Sequence, residues 1–171
     1  MADLTPQDKL QPALLDRLFD EEPGSKVESR DRRVISMRKL RDCVLRDLSW
    51  LLNSGPLGQV EDLSEFPHVQ QSVLNFGVRD LAGKTLSSTD MPDLERRIRQ
   101  AIWDFEPRIL RRTVKVRALG ADDPTHRNSL AFEIEGELWG QPLPVRLYLK
   151  SQLDLEDGTI QVTDRTEAGP A

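Results

Sequence analysis

The sequence predicts an α+β fold in which N-terminal helices pack on a small antiparallel meander of three to four strands. Two observations lead to this prediction. Apolar residues recur with a helical period as far as residue 105, and beyond it they alternate with polar residues, as in strands with one buried face. Helices that precede strands are typical of an α+β layout, and 37% hydrophobic with 31% charged residues suits one small globular domain.

Two long amphipathic helices are predicted, over residues 34–53 and 91–105. Asn53-Ser54-Gly55-Pro56 supplies the residue types that end the first helix. The second helix ends near Glu106-Pro107, because the residue before a proline disfavours helical backbone. A shorter helix is expected from Pro67 through Leu74. The apolar stripes are Leu40, Val44, Leu48 and Leu51 in the first long helix and Leu94, Ile98, Ala101, Ile102 and Phe105 in the second.

Three strands follow, around residues 114–118, 130–138 and 145–150. Their apolar faces should lie on the two long helices. The other face carries basic residues on the outer two strands and acidic residues on the middle one. We expect a solvated, internally neutralised surface, with a dedicated binding surface as the alternative. The charged positions are Lys115 and Arg117, then Glu133, Glu135 and Glu137, then Arg146 and Lys150.

The chain divides into three predicted parts: a mobile N-terminal segment over residues 1–33, a folded domain over 34–158, and a frayed tail over 159–171. The first part contains an apolar cluster with helical spacing, Leu14, Leu15, Leu18 and Phe19. A helix this short is marginal alone, so it either docks on the domain or waits for a partner. The tail is polar apart from Ile160 and Val162.

Composition argues against several functional classes. The net charge of −5 gives the chain no reason to concentrate on nucleic acid or anionic lipid, although a basic cluster lies within residues 108–112. His68 and His126 stand apart, and the single cysteine, Cys43, is expected to be a packed thiol, so no metal or cofactor site is predicted. The sequence shows neither a signal peptide nor a run of about 20 apolar residues, so a cytoplasmic location is expected.

Four motifs follow one another along the chain: LLDRL at residues 14–18, LRDLSWLLN at 45–53, FPHVQQSVLNFGVRDLAG at 66–83 and EPR at 106–108. In this order they resemble the TssE family, baseplate subunits of type VI secretion systems. The resemblance covers roughly residues 12–150. It implies a fold of the contractile-phage baseplate wedge type, related to the small wedge protein that initiates the tail sheath.

The resemblance implies a structural protein that holds partners rather than an enzyme. The implied partners are TssF-like and TssG-like wedge subunits, a TssK-like adaptor and the TssB–TssC sheath, at the cytosolic side of the inner membrane. Family members have often carried a lysozyme-like label, which makes a murein hydrolase the alternative. The acids of the middle strand point to water, and Glu106 would need a distant second acid to act as a glycosidase pair.

Two groups of residues are predicted to bind partners. An outer strand of a three-stranded meander has unpaired backbone groups that can accept an extended arm from a sheath subunit. The strand around Val114 is one such edge, and the third strand is the other, with Val145, Leu147, Tyr148 and Leu149. The second group is Glu106, Pro107 and Arg108. Its carboxylate and guanidinium either form an internal salt bridge at the helix-to-strand corner or bridge two chains.

Overall fold

The computed structural model describes residues 13–18, 36–78, 90–119, 129–139, 144–155 and 158–165. The helices are α1 (Leu14–Leu18), α2 (Met37–Leu52), α3 (Pro67–Gln70) and α4 (Met91–Phe105). The strands are β1 (Lys115–Leu119), β2 (Ser129–Leu138), β3 (Val145–Asp154) and β4 (Ile160–Asp164), and they form one antiparallel sheet in the order β1-β2-β3-β4. The predicted α+β fold is confirmed.

The two long helices begin at side-chain caps. Ser36 Oγ accepts a hydrogen bond of 3.1 Å from the N–H of Lys39 at the start of α2. The Asp90 carboxylate accepts one of 3.2 Å from the N–H of Asp93 at the start of α4. Each bond satisfies a donor that the first turn leaves without a partner.

The shorter helix predicted from Pro67 through Leu74 is interrupted. Helix α3 ends at Gln70, and a separate 3₁₀ turn covers Val73–Asn75. Between them, the Ser72 hydroxyl donates to the carbonyl oxygen of Val69 at 2.9 Å. Local bonds of this kind compete with the continuing helix, which explains the break.

A single core lies between the long helices and one face of the sheet. Even-numbered residues of β2 and odd-numbered residues of β3 alternate into it, as period-2 patterning requires. Helices α2 and α4 contribute the apolar stripes predicted for them. The buried set includes Val44, Leu48, Leu51, Leu94, Ile98, Ile102, Val116, Phe132, Ile134, Leu147, Leu149, Leu153 and Ile160.

The segment that follows α2 folds back onto its C-terminal end. Asn75 Oδ1 accepts from the N–H of Gly58 at 2.8 Å, and Asn75 Nδ2 donates to the carbonyl oxygen of Gln70 at 2.8 Å. Gly77 has φ 132°, and a Cβ there would lie 2.1 Å from the carbonyl oxygen of Ser54. Asn75 and Gly77, both in the FPHVQQSVLNFGVRDLAG motif, therefore have structural roles at this turn.

The outer face of the sheet pairs opposite charges, as predicted. The register sets Lys115 opposite Glu135, and their side chains form an ion pair of 3.7 Å. Glu133 lies between Arg117 on β1 and Lys150 on β3, and it accepts a hydrogen bond from the Tyr148 hydroxyl. Cross-strand attraction therefore acts within this face.

The C-terminal boundary of the predicted domain is wrong. Ile160–Asp164, assigned to a frayed tail, form β4 and pair with the second half of β3. The alternating burial of Ile160 and Val162 explains why these residues form a strand.

Within the predicted N-terminal segment, α1 is confirmed as a short helix. Phe19 and the predicted turns over residues 120–128 and 140–143 lie outside the described residues. No helix in the described ranges is both long and apolar enough to cross a bilayer.

Candidate protein–protein interface

The EPR motif forms an internal ion cluster at the corner between α4 and the sheet. Glu106 is 3% exposed, and its Oε1 accepts from Arg108 Nε at 2.7 Å and from the Arg108 N–H at 3.1 Å. Its Oε2 accepts from Arg108 Nη2, which also lies 2.5 Å from Asp47 Oδ2 on α2. Burial alone would lower the pKa of Arg108, but the two carboxylates outweigh it and raise the pKa above its ordinary value.

Backbone bonds fix the same corner to the sheet. The carbonyl oxygen of Arg108 accepts from the N–H of Trp139 at 2.8 Å, and the N–H of Leu110 donates to the carbonyl oxygen of Glu137 at 2.8 Å. Gly136 in β2 makes room for this segment, because a Cβ there would lie 2.8 Å from Ile109 Cγ2. The internal salt bridge, one of the two alternatives left open by the sequence, is therefore present.

The ion cluster continues to α1. Arg46 Nε donates to Asp47 Oδ1 at 2.9 Å, and Arg46 Nη1 donates to Asp16 Oδ1 at 2.6 Å. The Asp16 side chain is only 6% exposed. Burial would raise its pKa, but hydrogen bonds from Arg46 and from the Cys43 thiol, with the charge of Arg46, lower it below the ordinary 3.8. Asp16 therefore attaches α1 to α2 as an ionised carboxylate at neutral pH.

Cys43 is a packed thiol, as predicted. It is 6% exposed, and burial together with the Asp16 carboxylate raises its pKa. A protonated thiol that bonds a carboxylate is not an activated nucleophile.

Helix α1 turns two of its three leucines, Leu14 and Leu18, away from the domain. Leu14 and Leu18 are each 73% exposed, while Asp16 is buried against α2. Trp50 of α2 is 50% exposed nearby, and the Arg46 guanidinium lies 5.0 Å from its ring centroid. Leu15 and Trp50 line an open cavity of about 220 Å³ that is also lined by Phe76, Phe105, Glu106 and Arg108. We call Leu14, Leu15, Leu18 and Trp50 the α1 surface.

The predicted edge at β3 is wrong. The N–H of Arg165 donates to the carbonyl oxygen of Tyr148 at 2.9 Å, so the backbone N–H and C=O groups of the even-numbered residues of β3 point toward β4. The backbone groups of Val145, Leu147 and Leu149 point toward β2. The side chains of Leu147 and Leu149 are buried in the core. The backbone of these residues is already paired inside the sheet, because β4 makes β3 an interior strand.

The two true edges are β1 and β4, and side chains cover part of each. On β1, the N–H of Ala118 donates to the Glu95 carboxylate of α4 at 2.7 Å. On β4, Asn53 bonds the backbone of Ile160, and Arg41 forms an ion pair of 3.1 Å with Asp164. A side chain that binds an edge group blocks strand pairing there.

Two of the three arginines in the basic cluster within residues 108–112, Arg108 and Arg111, make contacts inside the fold. Arg111 lies 5.5 Å from the Trp103 ring centroid and 3.4 Å from the Asp104 carboxylate. Arg108 is held by two acids, as described above. Arg111 nevertheless stays 64% exposed, and Arg112 is exposed as well.

Comparison with known proteins gives the family. The family model for baseplate wedge protein gp25 matches residues 38–143, well over half of the chain. The chain belongs to the baseplate wedge protein gp25 family. No curated protein and no solved structure matches it significantly.

The gp25 match covers some of the candidate interface and not the rest. Trp50 and every member of the ion cluster except Asp16 lie inside the matched range, while α1 and β4 lie outside it. Of the predicted contact residues in the EPR motif, Pro107 is exposed and Arg108 is partly exposed, whereas Glu106 is buried. Sequence reasoning gave Arg46 and Asp47 no role in a contact and assigned Asn53 only to the end of the helix, although all three lie within the LRDLSWLLN motif.

Replacing Arg108 by alanine should destabilise this gp25-family chain. It would leave the buried Glu106 without its partner, and breaking a buried pair in this way costs about 3–5 kcal/mol of unfolding free energy. Urea denaturation measures the loss. Arg112→Ala is the control, since Arg112 is exposed and its loss should cost no more than about 0.5 kcal/mol. Equal stability of the two variants would contradict a structural role for the ion cluster.

Proposed function

We propose that this chain is the TssE-like baseplate subunit of a type VI secretion system, joining the wedge and initiating sheath assembly by protein–protein contacts. Membership of the wedge family supports a structural role in a baseplate. The observation that supports a role in joining the wedge is the orientation of α1. This helix buries the Asp16 carboxylate and exposes Leu14 and Leu18. A helix that only packed on its own domain would bury its leucines and expose its carboxylate.

The α1 surface is the proposed contact with the wedge. Exposed apolar patches with an aromatic residue are typical of protein interfaces, and tryptophan is enriched among residues that dominate binding energy. The partners we propose are TssF-like and TssG-like subunits, with a TssK-like adaptor in the same assembly. The proposed location is the cytosolic side of the inner membrane. Arg108 borders this surface through the cavity that it shares with Leu15 and Trp50.

The proposed contact with the TssB–TssC sheath is an edge of the sheet. An extended arm that joins an edge gains backbone hydrogen bonds, and its side chains set the register. Because β3 is interior, β4 replaces it as the C-terminal edge. Val162 turns its N–H and C=O outward in the middle of β4, and neither bonds to another group among the described residues.

A murein hydrolase is the alternative, and the ion cluster disfavours it. A retaining or inverting glycosidase needs one carboxylic acid free to protonate the leaving oxygen. Both oxygens of Glu106 are occupied by Arg108. We therefore propose that the chain does not catalyse.

Replacing Leu18 by aspartate should weaken wedge assembly without unfolding the chain. Leu18 is 73% exposed, so the change should alter stability by no more than about 0.5 kcal/mol. Loss of an interface anchor should lower co-purification with the TssF-like and TssG-like subunits by about tenfold. Val60→Asp is the control, because Val60 is 79% exposed on another part of the surface. Normal recovery of both subunits with Leu18→Asp would reject the α1 surface as the wedge contact.

Replacing Val162 by proline should stop sheath initiation and leave the wedge intact. Proline removes an outward N–H, and at an edge it breaks no existing ladder bond. Fluorescent sheath foci in cells measure initiation, and co-purification with wedge subunits checks folding. Val162→Thr keeps the N–H and should form foci normally. Foci at the usual rate in the proline variant would show that β4 is not the sheath contact.

Purified chain should release no soluble fragments from murein. The measurement is turbidity of a murein suspension together with chromatography of the supernatant. Clear turnover that disappears with Glu106→Gln would instead establish the hydrolase.

A further inference from the structure

The turns on either side of α3 expose apolar side chains that the fold does not bury. Val60, Val73 and Leu74 are 79%, 80% and 66% exposed. Val60 and Leu74 line the same cavity, so the three side chains lie close together. We call these three residues the turn surface. Single exposed apolar side chains are ordinary on a protein, whereas a group of them marks a contact with another molecule.

Hydrogen bonds from side chains fix the backbone that carries the turn surface. The Asn75 side chain joins the N–H of Gly58 to the carbonyl oxygen of Gln70. The Gln70 amide in turn donates to the carbonyl oxygen of Leu63 at 3.0 Å. Leu63 and Val78 are buried and anchor the same segment. A surface that is fixed before binding loses less conformational entropy when a partner binds.

A cavity of about 550 Å³ opens at the turn surface and reaches the core. Val60 and Leu74 line it near the solvent, and residues 53–57 and 158–159 form much of its sides. Its deeper wall consists of buried apolar side chains from α4 and the sheet, namely Leu94, Phe132 and Leu153. An apolar side chain of a partner can enter such a cavity, which is how interface anchors are commonly held.

The surroundings of the turn surface are acidic. Of the 171 residues 24 are Lys or Arg, but none of them lies within residues 47–78. Glu61, Asp62 and Glu65 are exposed, and none of the three forms an ion pair with a residue that the structure describes. Each glutamate of β2, by contrast, lies opposite a lysine or arginine of a neighbouring strand. A partner with basic side chains would neutralise the acids of this segment.

We propose that the turn surface docks a basic amphipathic segment of a partner protein. An apolar side chain of that segment enters the cavity, and its lysines or arginines lie beside Glu61, Asp62 and Glu65. The same acids repel a phosphate backbone and anionic lipid. The turn surface and the α1 surface share no residue, so this contact is additional to the one proposed for α1. The inference holds whichever machine the chain serves, so it does not rest on the proposed function.

The probe is a fluorescent synthetic helix of about 18 residues, with leucine on one face and lysine on the other. Fluorescence anisotropy measures its binding to the full chain. Leu74→Asp is expected to raise the dissociation constant by at least about tenfold, because it removes the apolar border of the cavity. This variant also makes the chain more negative, so attraction by charge alone would lower the dissociation constant. The matched control is Leu18→Asp, which makes the same change on the α1 surface.

A second set of variants tests the acids. Replacing Glu61, Asp62 and Glu65 by their amides should raise the dissociation constant by about tenfold. The matched control replaces three acids outside this segment by their amides and changes the net charge equally, so it should change the dissociation constant by no more than about twofold. The control positions are Asp42, Glu135 and Glu137. Circular dichroism checks that every variant is folded.

The proposal is overturned if the parent chain does not bind the leucine–lysine helix, or binds equally well a helix with glutamate in place of lysine. It is also overturned if Leu74→Asp binds as tightly as the parent chain, or if either control loses as much affinity as the variant it matches. Sedimentation velocity tests the remaining occupant. A dimer of the parent chain that disappears with Leu74→Asp would show that a second copy covers the turn surface, and it would overturn the proposal.

Discussion

The guanidinium of Arg108 joins three parts of the chain that are distant in sequence. It binds Glu106 at the end of α4 and Asp47 in the middle of α2, and its own backbone bonds the end of β2. A buried ion pair is weak evidence for net stability, because desolvation offsets the attraction. The ion pair has a clearer effect on geometry, because a planar guanidinium that binds two carboxylates allows few relative arrangements of the groups. The relative positions of both long helices and the sheet depend on this contact.

The position of α1 depends indirectly on the contact between Arg108 and Asp47. Asp47 holds Arg108 with one carboxylate oxygen and Arg46 with the other, and Arg46 in turn holds Asp16. Acid and base alternate along this series, so each charge is neutralised by its neighbours. A five-residue helix cannot be stable by itself, and this ionic attachment adds to the partial burial of Leu15 in holding it. Leu14 and Leu18, the two most exposed leucines of α1, are thereby left for a different contact.

Local patterns in the sequence were enough to predict most elements. The second long helix was predicted over 91–105 and observed over the same residues, because the apolar stripe and the stop at Glu106-Pro107 agree with the Asp90 cap. Strand β4 was missed, since five residues with one buried and one half-buried apolar side chain give too short an alternation to distinguish from a tail. Missing β4 also led to the wrong edge, because a three-stranded meander makes β3 an outer strand. The Asp47–Arg108 and Asn53–Ile160 contacts span 61 and 107 residues, distances at which periodicity carries no information.

Helix α2 connects the matched wedge domain to the two elements outside it. Arg46 holds α1, Arg41 holds Asp164, and Asn53 holds Ile160, so one rigid helix determines the placement of both α1 and β4. All three contacts are polar, and they join partly or fully exposed side chains of α2 to Asp16, Asp164 and the backbone of Ile160. Polar contacts of this kind set orientation and exchange partners more readily than buried apolar packing does. The placement of α1 and β4 therefore depends on these polar contacts of α2 as well as on the apolar core.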